Sequence, residues 1–256
     1  MKETPAKILV TNDDGYDSEG ITVLRNHLDS LGKVVSIAPT FDMSGVGSSL
    51  TLQHILPYAE HIEDDIWHLS GTPSDCAYVG LHSDLFGRLG VDVLVSGIND
   101  GDNISTDIHS SGTVGAAMQG VHLDIPPVAV SLCTKKLADE TKHFETAGWA
   151  ARRFVTFLLN CKIRWKRGIF FNMNVPNIPI SDLHSSQWKW TTLARRGCPT
   201  KCVKHAERRY SIGNRGSIEH FSADMDALAV HSNFISVTPL CTDMSIAEPR
   251  GSLYDE

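Results

Sequence analysis

Apolar residues fall in short runs along this chain, and the runs alternate with stretches of helical periodicity. Ala6–Thr11 is one such run and predicts a buried strand. Ile21, Leu24, Leu28 and Leu31 then mark one face of a helix that Gly32 ends. Val34–Ala38 predicts a second strand, closed by Pro39. Strand, helix and strand make a βαβ unit, so the two strands are expected to be parallel, with a right-handed crossover.

The pattern continues after a polar loop, Thr40–Ser48. Ser49–Leu56 alternates apolar and polar positions, as a half-exposed strand does, and Ile66–Leu69 predicts a short strand. Thr72-Pro73-Ser74-Asp75 is a helix start: Thr72 caps, Pro73 occupies the first helical position, and Asp75 faces the positive end. That helix is expected to run to about Ser83. Val91–Ser96 predicts a strand that exits into a long polar, glycine-rich loop, Gly97–Asn103. A helix rich in small residues follows from near Thr113 to near His122, then a strand over Val128–Leu132. Phe144–Leu159 is amphipathic with helical spacing, and Ile169–Met173 is a strand terminated by Asn174-Val175-Pro176. Past Pro176 the alternation stops. Trp188, Trp190, Tyr210 and Phe221 are spread among polar and basic residues with Gly197, Gly213 and Gly216, which predicts extended arms or hairpins. Strand character returns over Phe234–Val237, and Ala247–Glu256 is expected to be loose.

Composition narrows the class. With 256 residues, 41% hydrophobic and 21% charged, the chain can bury a core without disulfide or metal staples. A net charge of −7 excludes a general nucleic-acid binder, which would carry a basic face. An anionic small substrate remains compatible, because a local metal ion supplies positive charge. The six cysteines are scattered, four of them in or beside apolar segments, as buried free thiols in a reducing compartment would be. Only Cys198, Cys202 and His205 approach metal-cluster spacing, and a zinc site would need a fourth ligand that the sequence does not offer. Met1–Lys7 has no apolar signal core, and no window approaches the ~18 apolar residues of a membrane span, so a soluble cytoplasmic protein is expected.

The candidate chemistry sits at strand exits. Asn12-Asp13-Asp14-Gly15 leaves the first strand, and two adjacent carboxylates repel unless a positive group sits beside them. In an open parallel sheet, ligands bind outside the carboxyl ends of the strands. Chain order brings three polar loops to that edge: Asn12–Gly15, Met43-Ser44-Gly45, and Asn99–Thr113. Asp, Ser and Asn oxygens suit magnesium, manganese or calcium, and the absence of His and Cys from the acidic loop weighs against zinc. Asp and Asn also cap helices and build turns, with Asp17, Ser18 and Glu19 equally available, so a capping turn stands beside the metal reading. Ser110-Ser111-Gly112-Thr113 opens a helix and is either an anion site or a plain serine cap. No lysine follows its glycine, so it is not a Walker A loop, and no GxGxxG follows the first strand. His109 is either solvated or placed to contact a substrate or donate a proton. His54, His61 and His68 are expected on the surface. Trp188 and Trp190 are suited to stacking on a base or to packing across an oligomer interface.

These segments resemble the SurE family, stationary-phase survival proteins that are divalent-metal-dependent 5'/3'-nucleotidases. The similarity is carried in order by ILVTNDDG (Ile8–Gly15), APTFDMSGVGSSLTL (Ala38–Leu52), GTPSDC (Gly71–Cys76), VSGINDGDNISTDIHSSGTVGAAMQG (Val95–Gly120), FNMNVP (Phe171–Pro176) and FISVTPL (Phe234–Leu240). The resemblance implies one divalent metal ion per subunit, held by Asp13, Asp14, Ser44 and Asn99. It implies a phosphate held at Gly45, Asn99, Ser111, Gly112 and Thr113, with Asp13, Asp14 and Asn99 as the catalytic set. It also implies a three-layer α/β/α Rossmann-like domain with a mostly parallel sheet. C-terminal arms would be exchanged between subunits of a homodimer or homotetramer. The expected organisation is a catalytic core over residues 1–180, an arm over 181–233, and a return strand with tail over 234–256. Many relatives have Asn-Leu-Gly at Asn103-Ile104-Ser105, often Tyr at Ser110 and frequently Asn at Ser48. These departures bear on substrate preference rather than on the metal ligands.

The activity implied is hydrolysis of nucleoside 5'- and 3'-monophosphates by a metal-activated water, with polyphosphate a further candidate substrate, and without nucleic-acid or membrane partners. Two rivals stand beside it. A phospho-aspartyl phosphatase of the haloacid dehalogenase type also carries its nucleophile after the first strand, but in a DxD arrangement, whereas Asp13 and Asp14 are adjacent. A Rossmann-like nucleotide sensor would bind without hydrolysis.

Overall fold

The computed structural model describes residues 5–52, 55–86, 90–135, 137, 139–161, 166–184, 187–197, 202–212, 216–219 and 222–245. In chain order the elements are β1 (Ala6–Thr11), α1 (Glu19–Asp29), β2 (Gly32–Pro39), β3 (Ala59–Glu63), β4 (Ile66–Leu69), α2 (Pro73–His82), β5 (Val93–Asp100) and α3 (Gly112–Met118). They continue as β6 (Pro127–Cys133), α4 (Phe144–Asn160), β7 (Ile169–Pro176), β8 (Trp188–Trp190), β9 (Arg195–Arg196), β10 (Val203–Ala206), β11 (Arg209–Ser211), β12 (Ile218–Glu219), α5 (Asp226–His231) and β13 (Ile235–Cys241).

Nine strands form one sheet in the order β3-β4-β2-β1-β5-β6-β7-β13-β8. The strands from β4 to β7 are mutually parallel, β3 runs antiparallel to β4, and β13 runs antiparallel to β7 but parallel to β8. The chain moves outward from β1 to β2 and β4, returns through α2 to the other side of β1, and then proceeds outward through β6 and β7. β1 and β5 therefore flank the point where strand order reverses, the place where such sheets bind ligands. Apolar residues are buried on both faces of the central strands, as parallel strands between helices require. One core joins Val10, Val95, Val130 and Met173 to α1 and α4 through Leu24, Leu28, Ala147 and Phe154. Opposite it, Leu9, Ile37 and Leu94 pack on α2 and α3 through Cys76, Ala77 and Ala116. This is the mostly parallel, helix-flanked α/β architecture expected.

Local sequence signals explain most boundaries. At α2, the Thr72 hydroxyl accepts from the Asp75 amide at 3.1 Å, and the Asp75 carboxylate accepts from the Thr72 amide at 2.9 Å, a reciprocal cap. The strand expected over Ser49–Leu56 is absent among its described residues. Asp75 also accepts from the Thr51 amide (2.8 Å) and hydroxyl (2.6 Å), and the Ser49 carbonyl accepts from Thr72. Bound to a helix cap, this stretch has no sheet partner, and Leu52 and Leu56 are exposed. The edge strand is β3 instead. The segment Gly97–Asp100, expected as loop, is strand: past an irregularity between Ser96 and Asn99, Asn99 pairs with Ser131 and Asp100 with Leu132. The small-residue helix ends at Met118 and tightens into a 3-10 turn, Gln119–His122.

After β7, β8 lies inside the span expected to form an arm, yet it is the ninth strand of the main sheet. β10 and β11 make an exposed antiparallel hairpin. No helix among the described residues is long and apolar enough to cross a membrane. His54, Cys198, Gly213, Phe221 and the tail Ala247–Glu256 lie outside the described residues.

Candidate active site

Asn12 shapes the turn at the end of β1. Its side-chain amide donates to the Gly15 carbonyl and to the Ser18 hydroxyl, each at 2.8 Å. Ser18 stands before α1 without a side-chain cap bond, so the acids of this loop do not serve as that helix's cap. Asp13 and Asp14 are thereby left to the sheet edge.

Four bonds draw the three loops together there. The Met43 amide donates to the Asp13 carbonyl at 2.8 Å, which brings Ser44 alongside β1. The Asp100 amide donates to the Asp14 carboxylate at 3.1 Å, which brings Asn99 to it from β5. The Thr113 hydroxyl donates to the Asp13 carboxylate at 2.5 Å, and the Gly47 amide donates to the Ser110 carbonyl at 3.1 Å. Asn99 is itself fixed by donation from its amide to the Gly101 carbonyl at 2.8 Å.

Asp13 is buried, and that burial raises its carboxyl above the ordinary carboxylate range, although the Thr113 hydroxyl and amide oppose the shift. The start of α3 thus serves a protein carboxylate. Ser111 caps α3 by accepting from the Val114 amide at 3.1 Å, and Thr113 binds Asp13. Glycine at 112 permits this approach: a Cβ there would lie 2.8 Å from the Asp13 Cβ and 3.0 Å from its Oδ2. On the opposite rim, Ser44 is exposed with its amide on the Asp42 carboxylate at 2.7 Å, and Gly45 has open space above it at φ +82°.

Sequence reasoning missed the polar scaffold beneath these loops. The Asn103 side chain donates to Thr113 (3.3 Å) and to Ser131 (2.9 Å), its amide donates to Asn174, and its carbonyl accepts from Asn172 and Asn174. The signal was two asparagines alternating through an otherwise apolar strand. A second layer comes from the C-terminal part of the chain. Buried Asp226 accepts from the amides of Ser105 (2.7 Å) and Ala194 (2.9 Å). Arg196 grips Asp107 with Nη2 at 2.6 Å and Nε at 2.8 Å. Ser105 sits at φ +61°, a region that favours glycine, and its hydroxyl is held by the Ala194 carbonyl at 2.9 Å.

Other expected participants lie elsewhere. Trp188 and Trp190 pack against Phe154 at the far edge of the sheet, about four strand spacings or ~19 Å from β5, too far to stack on a base at these loops. His68 is not a surface residue: it stacks on Tyr16 and bonds Thr40 at 2.8 Å. His61 and His109 are exposed. Cys76 is buried, Cys133 and Cys161 are half-buried, and Cys202 and Cys241 are exposed. His205 bonds Ser211, and no cluster of three or more His, Cys, Asp or Glu side chains suited to a metal occurs among the described residues. The candidate set at the sheet edge is two carboxylates with an amide and a hydroxyl. They are nonetheless an all-oxygen donor set fit for a hard divalent cation, and a buried, desolvated carboxylate is stabilised by one.

Comparison with known proteins identifies the family. Residues 8–200 match the family described as Survival protein SurE. The 5'-nucleotidase SurE of Nitrosococcus oceani is 36% identical over 243 residues, 93% of this chain and 92% of that protein. The 5'/3'-nucleotidase SurE of Edwardsiella ictaluri is 34% identical over 254 residues, 97% of this chain and 95% of its own. The crystal structure of the SurE protein from Aquifex aeolicus superposes with a TM-score of 0.80 at 33% identity, covering 93% of this chain and 94% of that one. The chain belongs to the SurE family of nucleotidases.

Proposed function

We propose that this protein is a divalent-metal-dependent phosphomonoesterase that releases phosphate from nucleoside 5'- and 3'-monophosphates. The observation that carries the reading is the buried Asp13 carboxylate beside Asp14 at the β1–β5 switch point, where Ser44 and Asn99 are also drawn in. Asp13, Asp14, Ser44 and Asn99 would hold the cation. Magnesium, manganese or calcium bound there supplies Lewis acidity toward phosphate oxygens and lowers the pKa of a bound water.

The chain's own groups do the rest. Thr113 keeps Asp13 oriented, while the Asp100 amide keeps Asp14 oriented. Glycine at 45 leaves room for a phosphate that the Ser111 hydroxyl, the Gly112 amide and Asn99 would contact, while Thr113 would act on it through Asp13. The exposed β10–β11 hairpin supports assembly into a homodimer or homotetramer. The test is free phosphate from AMP with and without manganese, in wild type and Asp14→Asn. Metal-dependent release that the substitution nearly abolishes is expected. Full activity in the variant would sink the metal-site reading, and AMP binding without release would leave a sensor.

A further inference from the structure

Asp100 is a third acid at the site's rim, outside the proposed ligand set. Its Oδ1 accepts from the Thr134 hydroxyl and its Oδ2 from the Lys142 ammonium, each at 2.7 Å, while its amide donates to Asp14. Thr134 follows β6 and Lys142 precedes α4, so one carboxylate grips both ends of the β6–α4 connection. Asn177 holds that connection on its other side, donating to Glu140 and to the Thr141 carbonyl and accepting from the His143 amide. The Gly101 amide donates to the Leu132 carbonyl at 3.0 Å. Residues 99–101 are therefore fixed between Asp14 and the end of β6. Without the Lys142 ammonium, the Asp100 carboxylate would repel Asp14 or turn toward a metal bound beside it.

We propose that the Thr134–Asp100–Lys142 clamp is a positioning device that sets the placement of Asp14 and Asn99, and with it the affinity of the site for a divalent cation. This rests on the metal-site reading above. Lys142 is held above the ordinary lysine range, first by its bond to Asp100 and further by the charges of Glu19 and Asp14, consistent with that placement. Two effects of removing Lys142 oppose each other. Loss of a positive charge would tighten cation binding, whereas loss of the clamp would weaken it. A variant that changes no charge separates the two.

The experiment titrates MnCl2 into wild type, Thr134→Val, Lys142→Met and Lys142→Arg. Bound Mn2+ is read by electron paramagnetic resonance, and AMP hydrolysis is followed in parallel. Outer partners of metal ligands commonly change affinity about tenfold or more, so Thr134→Val and Lys142→Met should each bind Mn2+ at least about fivefold more weakly. Half-maximal activation should move by the same factor, with the KM for AMP unchanged and Lys142→Arg near wild type. Wild-type Mn2+ affinity in Thr134→Val overturns the clamp. So does tighter binding in Lys142→Met, which would reduce Lys142 to a charge. Should wild type bind Mn2+ and release no phosphate, the nucleotidase reading fails while the affinity ratios still decide the clamp. Wild type that binds no Mn2+ overturns both.

Discussion

Replacing Thr113 with Val removes one hydrogen bond at constant volume. Thr113 is fully buried, and its hydroxyl lies 2.5 Å from an Asp13 carboxylate that is 3% exposed. The change orphans nothing else: the Asn103 amide keeps Ser131 at 2.9 Å, and β-branching is preserved in α3. A hydrogen bond to a charged acceptor contributes about 1.5–3 kcal/mol, and ~1.4 kcal/mol is a factor of ten. The equilibrium that favours the ionised, oriented form of Asp13 should therefore weaken by about tenfold to hundredfold. Manganese-dependent kcat/KM for AMP should fall by that factor, and Thr113→Ser, which keeps the hydroxyl, should stay near wild type. Loss of the donor leaves burial less opposed, so the acid limb of the pH–kcat/KM profile should move to higher pH. The metal-free protein should lose up to about 1.5–3 kcal/mol of stability with the same bond, read by thermal unfolding. A Thr113→Val enzyme with wild-type kcat/KM and an unmoved acid limb would refute the claim that α3 acts through Asp13.

Gly112→Ala drives a Cβ to 2.8 Å from that of Asp13, so overpacking should cost about 1–3 kcal/mol in a denaturant melt and most of the activity. A fully active Gly112→Ala protein would contradict the close approach. Leu9→Ala, in the α2–α3 core, should lower stability by about 2–5 kcal/mol without changing the metal requirement. Burial raises the Asp226 carboxyl above the usual 3.8, so its contribution to stability is complete below that pH and is lost as pH rises through the folded value. Asp226→Asn should flatten that decline in denaturation midpoints while lowering stability overall, since its amide accepts on one side only. An unchanged slope would show that Asp226 does not titrate in that range.

The two ends of legibility lie close together in the chain. β1, α1, β2 and the reciprocal cap of α2 were legible because their causes are local: apolar runs, spacing, and a Thr-Pro-x-Asp start. The same Asp75 that completes the cap also captures Thr51, a contact 24 residues away that pattern cannot see, and the expected strand beside it is lost. Asp13, Asp14, Ser44 and Asn99 were visible as residue types at strand exits. The assignment of Thr113 to Asp13 needed the fold, because a hydroxyl at a helix start looks the same whether its acceptor is substrate or protein. Arg196 and Asp226 carried no motif, Asp107 stood inside one without a role of its own, and the meaning of all three arises only from distance in space.

The ties from Ala194, Arg196 and Asp226 to Ser105 and Asp107 bear on when the site becomes whole. Every proposed ligand has been synthesised once residue 113 is made, yet the turn that leads into α3 waits for partners made about a hundred residues later. A nascent chain halted at residue 180 would carry the full chemical inventory without the struts that brace the Ser105–Ser110 turn. Hydrolytic competence should therefore arrive late and abruptly in synthesis, when residue 226 reaches its pocket.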